Sequence, residues 1–276
     1  MSNGGDHWKL YLPLRPLLAA FWIANILNCQ AQELDVSLRG LVSERPRTRI
    51  SSAKSLGRAV GKDIAKVGPA LFARFEVDDN PGVRIAILRA LAQLQPDDNS
   101  TLECIRLGLQ DKDPTMREET RLLAWQLFEF GSPHVADQIL PILTPGGCDR
   151  PNEATSAPYG ATPSKLAANM QYILARRSVV DDDSRRCLGA IARTRISTPV
   201  DLAILLKALP AAKDEATAFA IALELVRTCR NDPAIHGTCL DDARAFRAAA
   251  ANSKNLGQGD LMARIERLDL LLDELD

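Results

Sequence analysis

The spacing of prolines that directly follow a helix-capping residue constrains the fold of this chain most strongly. In such a pair the capping side chain accepts a hydrogen bond from an amide of the first helical turn, and proline at the first helical position lacks only a donor that the helix does not use. Each pair therefore predicts the start of a helix. Six pairs occur, at Asn80-Pro81, Asp113-Pro114, Ser132-Pro133, Thr162-Pro163, Thr198-Pro199 and Asp232-Pro233.

The residues that follow Pro81 have the period of an α-helix. Apolar side chains recur with the three- and four-residue spacing of one helical face, at Val83, Ala86, Ile87, Ala90, Leu91 and Leu94. The whole chain is 46% apolar, and its frequent Ala and Leu are strong helix formers. With 276 residues it is long enough to bury a substantial core. These features predict an all-α fold.

The capped helices also repeat. Pro81 and Pro114 are 33 residues apart, and this shift superposes Asp78 on Asp111 and Arg84 on Arg117. A step of 35 residues in the other direction finds the same Pro-x-x-Arg spacing at Pro46 and Arg49. Such a period predicts stacked antiparallel helical hairpins, in which no hairpin buries its apolar face alone.

The segments around Asn80-Pro81 and Asp113-Pro114 resemble those of the HEAT-repeat family, and the resemblance covers residues 32–143. It implies a right-handed α-solenoid, a HEAT-like superhelix. In that family an Asp and an Arg of each repeat form a hydrogen-bonded ladder between neighbouring units. The resemblance gives this structural role to Asp79, Arg84, Asp111 and Arg117.

The regular pattern is interrupted at residues 144–163, which are rich in proline and glycine and include Tyr159. A segment of this length without periodicity is typically a functional loop or a linker, so we expect it to contact a partner. Residues 164–276 are predicted to form further helical hairpins. The last helix closes the array as a cap or, alternatively, dimerises as a coiled coil. The helices are expected around Lys165–Arg176, Ser184–Arg193, Pro199–Leu209, Asp214–Cys229, Asp241–Ala251 and Gly259–Leu275.

The first 31 residues resemble a secretory signal peptide. Lys9 and Arg15 precede an apolar run at residues 17–27, and Ala31 is a small residue at a suitable cleavage point. The run is too short for an integral membrane span. The expected location is therefore the periplasm or the exterior. Two alternatives stay open: an amphipathic first helix in a cytoplasmic protein, and a lipid anchor at Cys29.

Export would leave five cysteines in the mature chain. Cys229 and Cys239 flank a short connection and are candidates for one disulfide, and Cys148 and Cys187 are candidates for a second. Cys104 lies in an apolar helical pattern and is expected to be a buried thiol. If the protein stays in the cytosol, all of these cysteines are small core residues instead.

Charge and motifs narrow the functional classes. The net charge of -1 makes nucleic acid an unlikely main partner. The chain has three histidines and neither zinc-ligand spacing nor a nucleophile motif, so the sequence predicts no metal, no cofactor and no catalytic residue. A basic stretch at residues 45–66 is either a solvated face with a ladder arginine or a surface for an acidic partner. Arg47, Lys54 and Arg58 would form that surface.

Together these features predict a non-catalytic, monomeric scaffold that binds a protein of unknown identity. Some HEAT-like proteins resemble bilin lyases, so a lyase-like enzyme or cofactor-handling accessory is the alternative from another class. A toxin-neutralising immunity-type protein is also open, as is an intracellular regulatory scaffold that retains residues 1–31.

The export hypothesis predicts the mature N-terminus in the natural host. Terminal sequencing by mass spectrometry should find a chain that starts at Gln32, because the small Ala31 precedes it. Recovery of the intact chain from Met1 would contradict export.

Overall fold

A computed structural model describes residues 32–144, 164–196, 198–231 and 236–250, together with part of residues 266–273. All regular elements in these ranges are helices, and no strand occurs among them, which confirms the all-α class. Residues 32–40 are helical and are named α1. The other long helices are α2 (Pro46–Leu56), α3 (Ile64–Val77), α4 (Pro81–Leu94), α5 (Asn99–Leu109), α6 (Pro114–Phe130), α7 (Pro133–Leu143), α8 (Ser164–Arg176), α9 (Asp182–Arg195), α10 (Pro199–Ala208), α11 (Glu215–Asn231) and α12 (His236–Ala250).

The capping prolines start helices as predicted wherever the structure describes them. Helices α4, α6, α7 and α10 each begin at the expected proline. The preceding side chain accepts an amide hydrogen bond of the first turn in each case, from Val83 to Asn80 (3.2 Å), Met116 to Asp113 (2.9 Å), Val135 to Ser132 (3.3 Å) and Asp201 to Thr198 (3.1 Å). The pairs Thr162-Pro163 and Asp232-Pro233 lie outside the described residues.

The chain forms two compact units, Met1–Leu94 and Gln95–Asp276. In the first unit, α4 packs against both α2 and α3 around buried Leu56, Leu71 and Val83. In the second unit, helices two apart in sequence pack together: α5 with α7, α9 with α11, α6 with α8, α8 with α10, and α10 with α12. Sequential pairs α5–α6, α6–α7 and α7–α8 also pack.

Helices on both sides of residues 144–163 belong to the second unit. Helices α7 and α8, which flank that segment, pack against each other inside the second unit. The buried Asn169 of α8 strengthens the link, because its amide donates to the carbonyl of Phe128 at the end of α6 (2.8 Å). Helices on both sides of the segment therefore share one core.

The predicted last helix is described only in part. Residues 266, 268–270 and 272–273 are helical, and Leu268 and Leu272 are buried. Arg247 of α12 forms an ion pair with Asp269, with Nη2 2.8 Å from Oδ2. This contact raises the pKa of the Arg247 guanidinium.

A buried carboxylate, that of Asp78 in the α3–α4 turn, connects α2, α3 and the start of α4 in the first unit. Arg49 of α2 donates two hydrogen bonds to this carboxylate, from Nε to Oδ2 at 2.7 Å and from Nη2 to Oδ1 at 2.9 Å. Arg74 of α3 donates to Oδ2 at 2.7 Å, and the amide of Asn80, just before α4, donates to Oδ1 at 3.0 Å. The Asp78 side chain is fully buried, so its charge is balanced entirely by these donors.

The environment of Asp78 sets its ionisation. Burial by itself raises the pKa of the carboxyl, but the hydrogen bonds from Arg49, the Asn80 amide and Arg74 together outweigh burial and leave the pKa below its ordinary value. Asp78 is therefore a charged, structural group.

The close contacts with Arg49 are formed by Asp78, one residue before the aspartate to which the resemblance gives a ladder role. The Asp79 side chain is 96% exposed, and its Oδ1 lies 3.9 Å from Nη2 of Arg49, whereas Asp78 forms the close contacts. The backbone of Asp78 is extended, and neighbouring side chains of an extended segment point to opposite sides. Only one of the two aspartates can therefore face the core.

The 33-residue repeat is visible in local hydrogen bonds. Arg84 Nη1 donates to the carbonyl of Asp78 (2.6 Å), and Arg117 Nη1 donates to the carbonyl of Asp111 (2.7 Å). The Asp111 carboxylate accepts from the Asp113 amide (2.8 Å), as Asp78 does from Asn80. Arg84 and Arg117 thus each stabilise the turn that precedes their own helix.

Replacing the buried carboxylate should destabilise the first unit. We expect Asp78→Asn to cost about 3 to 5 kcal/mol at pH 7, because it leaves Arg49 buried beside a neutral group. The matched variant Asp79→Asn should change the stability by less than about 0.5 kcal/mol, since its side chain is exposed. Urea unfolding measures both, and hydrogen exchange in α2 and α4 locates the effect.

The same pair of variants has a defined pH dependence. Because the folded pKa of Asp78 is lowered, its contribution is complete above the ordinary aspartate value of about 3.9 and is lost as the pH falls through the folded value. The difference between wild type and Asp78→Asn should therefore shrink below about pH 4. Equal effects of the two variants at pH 7 would contradict the assignment.

Candidate functional site

A groove of about 290 Å³ lies between α2 and α4 of the first unit. Three rows of side chains, each spaced by four residues as on one helical ridge, form it. One row belongs to α2 and the turn after it, and the other two belong to α4. The rows are Ile50, Lys54 and Arg58; Ile85, Arg89 and Gln93; and the small residues Gly82, Ala86 and Ala90.

The two helices run in the same direction along the groove. A Cβ atom built on Gly82, near the start of α4, would lie 3.6 Å from Cδ1 of Ile50, in the first half of α2. A Cβ atom on Gly57, just after α2, would lie 3.1 Å from Cα of Ala90, near the end of α4. The start of α2 therefore lies beside the start of α4, and the end of α2 lies beside the end of α4. Both ridges place isoleucine at one end of the groove and cations further along.

The groove is basic. Lys54, Arg58 and Arg89 are exposed, and the lining includes no aspartate or glutamate. Neither α2 nor α4 contains an acidic residue anywhere in its sequence. Among the described residues, Lys54 and Arg58 form no ion pair or hydrogen bond through their side chains. Their positive charge is therefore left for a ligand.

Two of the three basic residues predicted to bind a partner lie in this groove. Lys54 and Arg58 line the groove together, but Arg47 does not, although it is exposed and two helical turns before Lys54 on α2. Tyr159 and the rest of the loop expected to contact a partner lie outside the described residues. Sequence reasoning missed Arg89, Ile50 and Ile85. The signal was present, because Arg89 follows Ile85 by four residues off the buried stripe of α4.

A larger groove of about 520 Å³ lies between α9 and α11 in the second unit, with four arginines in its lining. Each arginine is matched by a carboxylate, in the pairs Arg185–Asp182 (2.7 Å), Arg186–Asp183, Arg193–Glu224 (3.9 Å) and Arg227–Glu224 (2.7 Å). Arg185 also lies 3.6 Å from Asp214. This internal pairing reduces the charge available to a ligand, so the smaller α2–α4 groove is the stronger candidate.

The cysteine predictions stay open in the structure. No disulfide occurs among the described residues, and the side chains of Cys104 and Cys187 are buried. Cys148 and the side chains of Cys229 and Cys239 lie outside the described residues, so the Cys229–Cys239 and Cys148–Cys187 pairings stay predictions.

The described ranges contain neither a cluster of metal ligands nor a membrane-spanning helix. No group of three or more His, Cys, Asp or Glu side chains there has a geometry that would hold a metal ion. None of the helices in those ranges combines the length and apolar character required to cross a membrane.

Comparison with protein-family models, with curated proteins and with solved structures finds no match to this chain.

Burial predicts the reactivity of the two described thiols. Cys104 and Cys187 should resist a thiol reagent in the native protein, because both side chains are fully buried. In denaturant without reductant, Cys104 should react. Mass spectrometry of labelled peptides measures this. Labelling of Cys187 only after reduction would instead establish a disulfide at that residue, and rapid native labelling of Cys104 would contradict its burial.

Proposed function

We propose that this protein is a non-catalytic scaffold of stacked HEAT-like hairpins that binds an acidic segment of another protein in the α2–α4 groove. The observation that carries the proposal is the groove itself: Lys54, Arg58 and Arg89 surround an apolar floor, and no carboxylate lines it. A preformed groove between packed helices loses little conformational entropy on binding.

The composition of the groove favours a peptide over nucleic acid. The partly exposed Ile50 and Ile85 present apolar side chains next to the cations, and the buried Ala86 and Ala90 line the groove beside them. This suits a segment with both apolar and acidic side chains. Nucleic acid binding typically relies on a longer basic track with many phosphate contacts. The whole chain, with its net charge of -1, supplies no general excess of positive charge.

The solenoid part of the proposal is supported by packing inside each unit. Helices two apart in sequence pack together in both units, as they do when hairpins stack. The pair Arg49–Asp78 joins α2 to the turn before α4, which is the kind of contact expected of a repeat ladder. The export proposal is supported by the apolar run and small residue at the N-terminus.

Charge reversal in the groove should strongly reduce capture of the partner. In the natural host, a photo-crosslinking residue at Gln93, which is exposed at the groove edge, should link to a partner. We expect Lys54→Glu/Arg58→Glu to reduce that crosslink at least about tenfold, because it replaces attraction with repulsion.

The control has the same change of charge at exposed lysines elsewhere. Lys112→Glu/Lys165→Glu alters two exposed side chains that line none of the grooves described above, and it should leave the crosslink unchanged. Equal crosslinking in the wild type and the groove variant, or an equal loss in the control variant, would refute the proposal.

A further inference from the structure

We propose that the occupant of the α2–α4 groove is an extended peptide segment with one apolar side chain and two carboxylates at alternate positions, so that residues 1, 3 and 5 of the segment face the protein. This inference rests on the proposed function and specifies the partner's chemistry and conformation.

The first support is the spacing of the ridge on α2. Ile50 and Lys54 are four residues apart on α2, which at 1.5 Å per residue places them about 6 Å apart along the helix axis. Arg58 follows Lys54 by four more residues, in the turn after α2. Alternate residues of an extended chain lie about 6.6 Å apart and on one side. An apolar residue beside Ile50 therefore brings the next two facing residues to Lys54 and Arg58.

The second ridge repeats this order. On α4, Ile85 precedes Arg89 by one turn, and α2 and α4 run in the same direction. The isoleucines therefore lie at one end of the groove and Lys54, Arg89 and Arg58 lie further along. The ligand must have the same asymmetry: an apolar side chain at one end and the carboxylates at the other. Carboxylates placed beside the isoleucines would lose hydration without gaining a partner.

The third support is the size of the groove. Its volume of about 290 Å³ is at the lower limit of small-ligand pockets. An α-helix with its side chains is about 10 to 12 Å across and would rest on the rim. An extended chain can approach closely because the middle ridge consists of Gly82, Ala86 and Ala90. The dimensions therefore favour an extended occupant over a helical one.

Three peptides of equal composition test whether the occupant of the groove is extended. Each contains one isoleucine and two glutamates in a serine and glycine background, with these residues at positions 1, 3 and 5, at positions 1, 2 and 3, or at positions 1, 5 and 9. The alternating peptide is made in both chain directions, and its tighter-binding form is used. Fluorescence anisotropy measures binding to the full chain at low salt.

We expect the alternating peptide to bind at least about tenfold more tightly than the other two. A preference for positions 1, 5 and 9 would establish a helical occupant and overturn the inference. Equal affinities, or no binding by any peptide, would also overturn it.

A charge swap tests the site. Lys54→Glu/Arg58→Glu should lose the alternating peptide and instead bind its counterpart with lysines in place of the glutamates. Both changed side chains are exposed, so folding should be preserved, and circular dichroism checks this. Binding of the acidic peptide by this variant as tight as by wild type would overturn the inference.

The experiments distinguish a failure of the extended conformation from a failure of the proposed function. If charge reversal abolishes the partner crosslink but the alternating peptide has no advantage, the protein binds its partner in the groove and the extended conformation is wrong. If charge reversal leaves the crosslink unchanged, the proposed function itself fails.

Discussion

The first unit depends on the buried carboxylate of Asp78. Two guanidinium groups and one backbone amide converge on it from α2, α3 and the turn before α4. A fully buried charge is tolerated only when its partners are fixed in place, so the cluster restricts how α2 can slide or tilt against α4. The width of the groove between these helices is therefore controlled by a polar contact outside its lining.

Small residues complete this arrangement. Gly57 lies so close to Ala90 that an added Cβ would be 3.1 Å from its Cα and Cβ atoms. The helices thus approach closely at the end nearest Arg58, while Gly82, Ala86 and Ala90 keep the surface between the ridges low. Polar fixation and close packing together produce a preformed basic groove with an apolar floor.

Local chemistry explains which features could be predicted from the sequence. The starts of α4, α6, α7 and α10 depend on a capping side chain within three residues, so the capping pairs were sufficient to locate them. The choice between Asp78 and Asp79 depends on Arg49, 29 positions before Asp78, and no local pattern shows which aspartate it meets. The contribution of Arg89 likewise needs the packing of α2 on α4, which brings two separate ridges together. The boundary after Leu94 depends on how helices share a core, which the repeat period does not encode.

The side chains of α2 fall into a buried group that packs and an exposed group that does not. Arg49, Ser52, Ala53 and Leu56 are buried and hold the helix in place, whereas Lys54 is exposed and has no structural partner among the described residues. Arg58, just after the helix, is in the same situation. Mutations at these two positions are therefore nearly free of a stability cost, while mutations at Arg49 are not. Exposed positions of this kind can change faster than the core: descendants of one ancestral chain could differ in the charge of this ridge while inheriting the same packing.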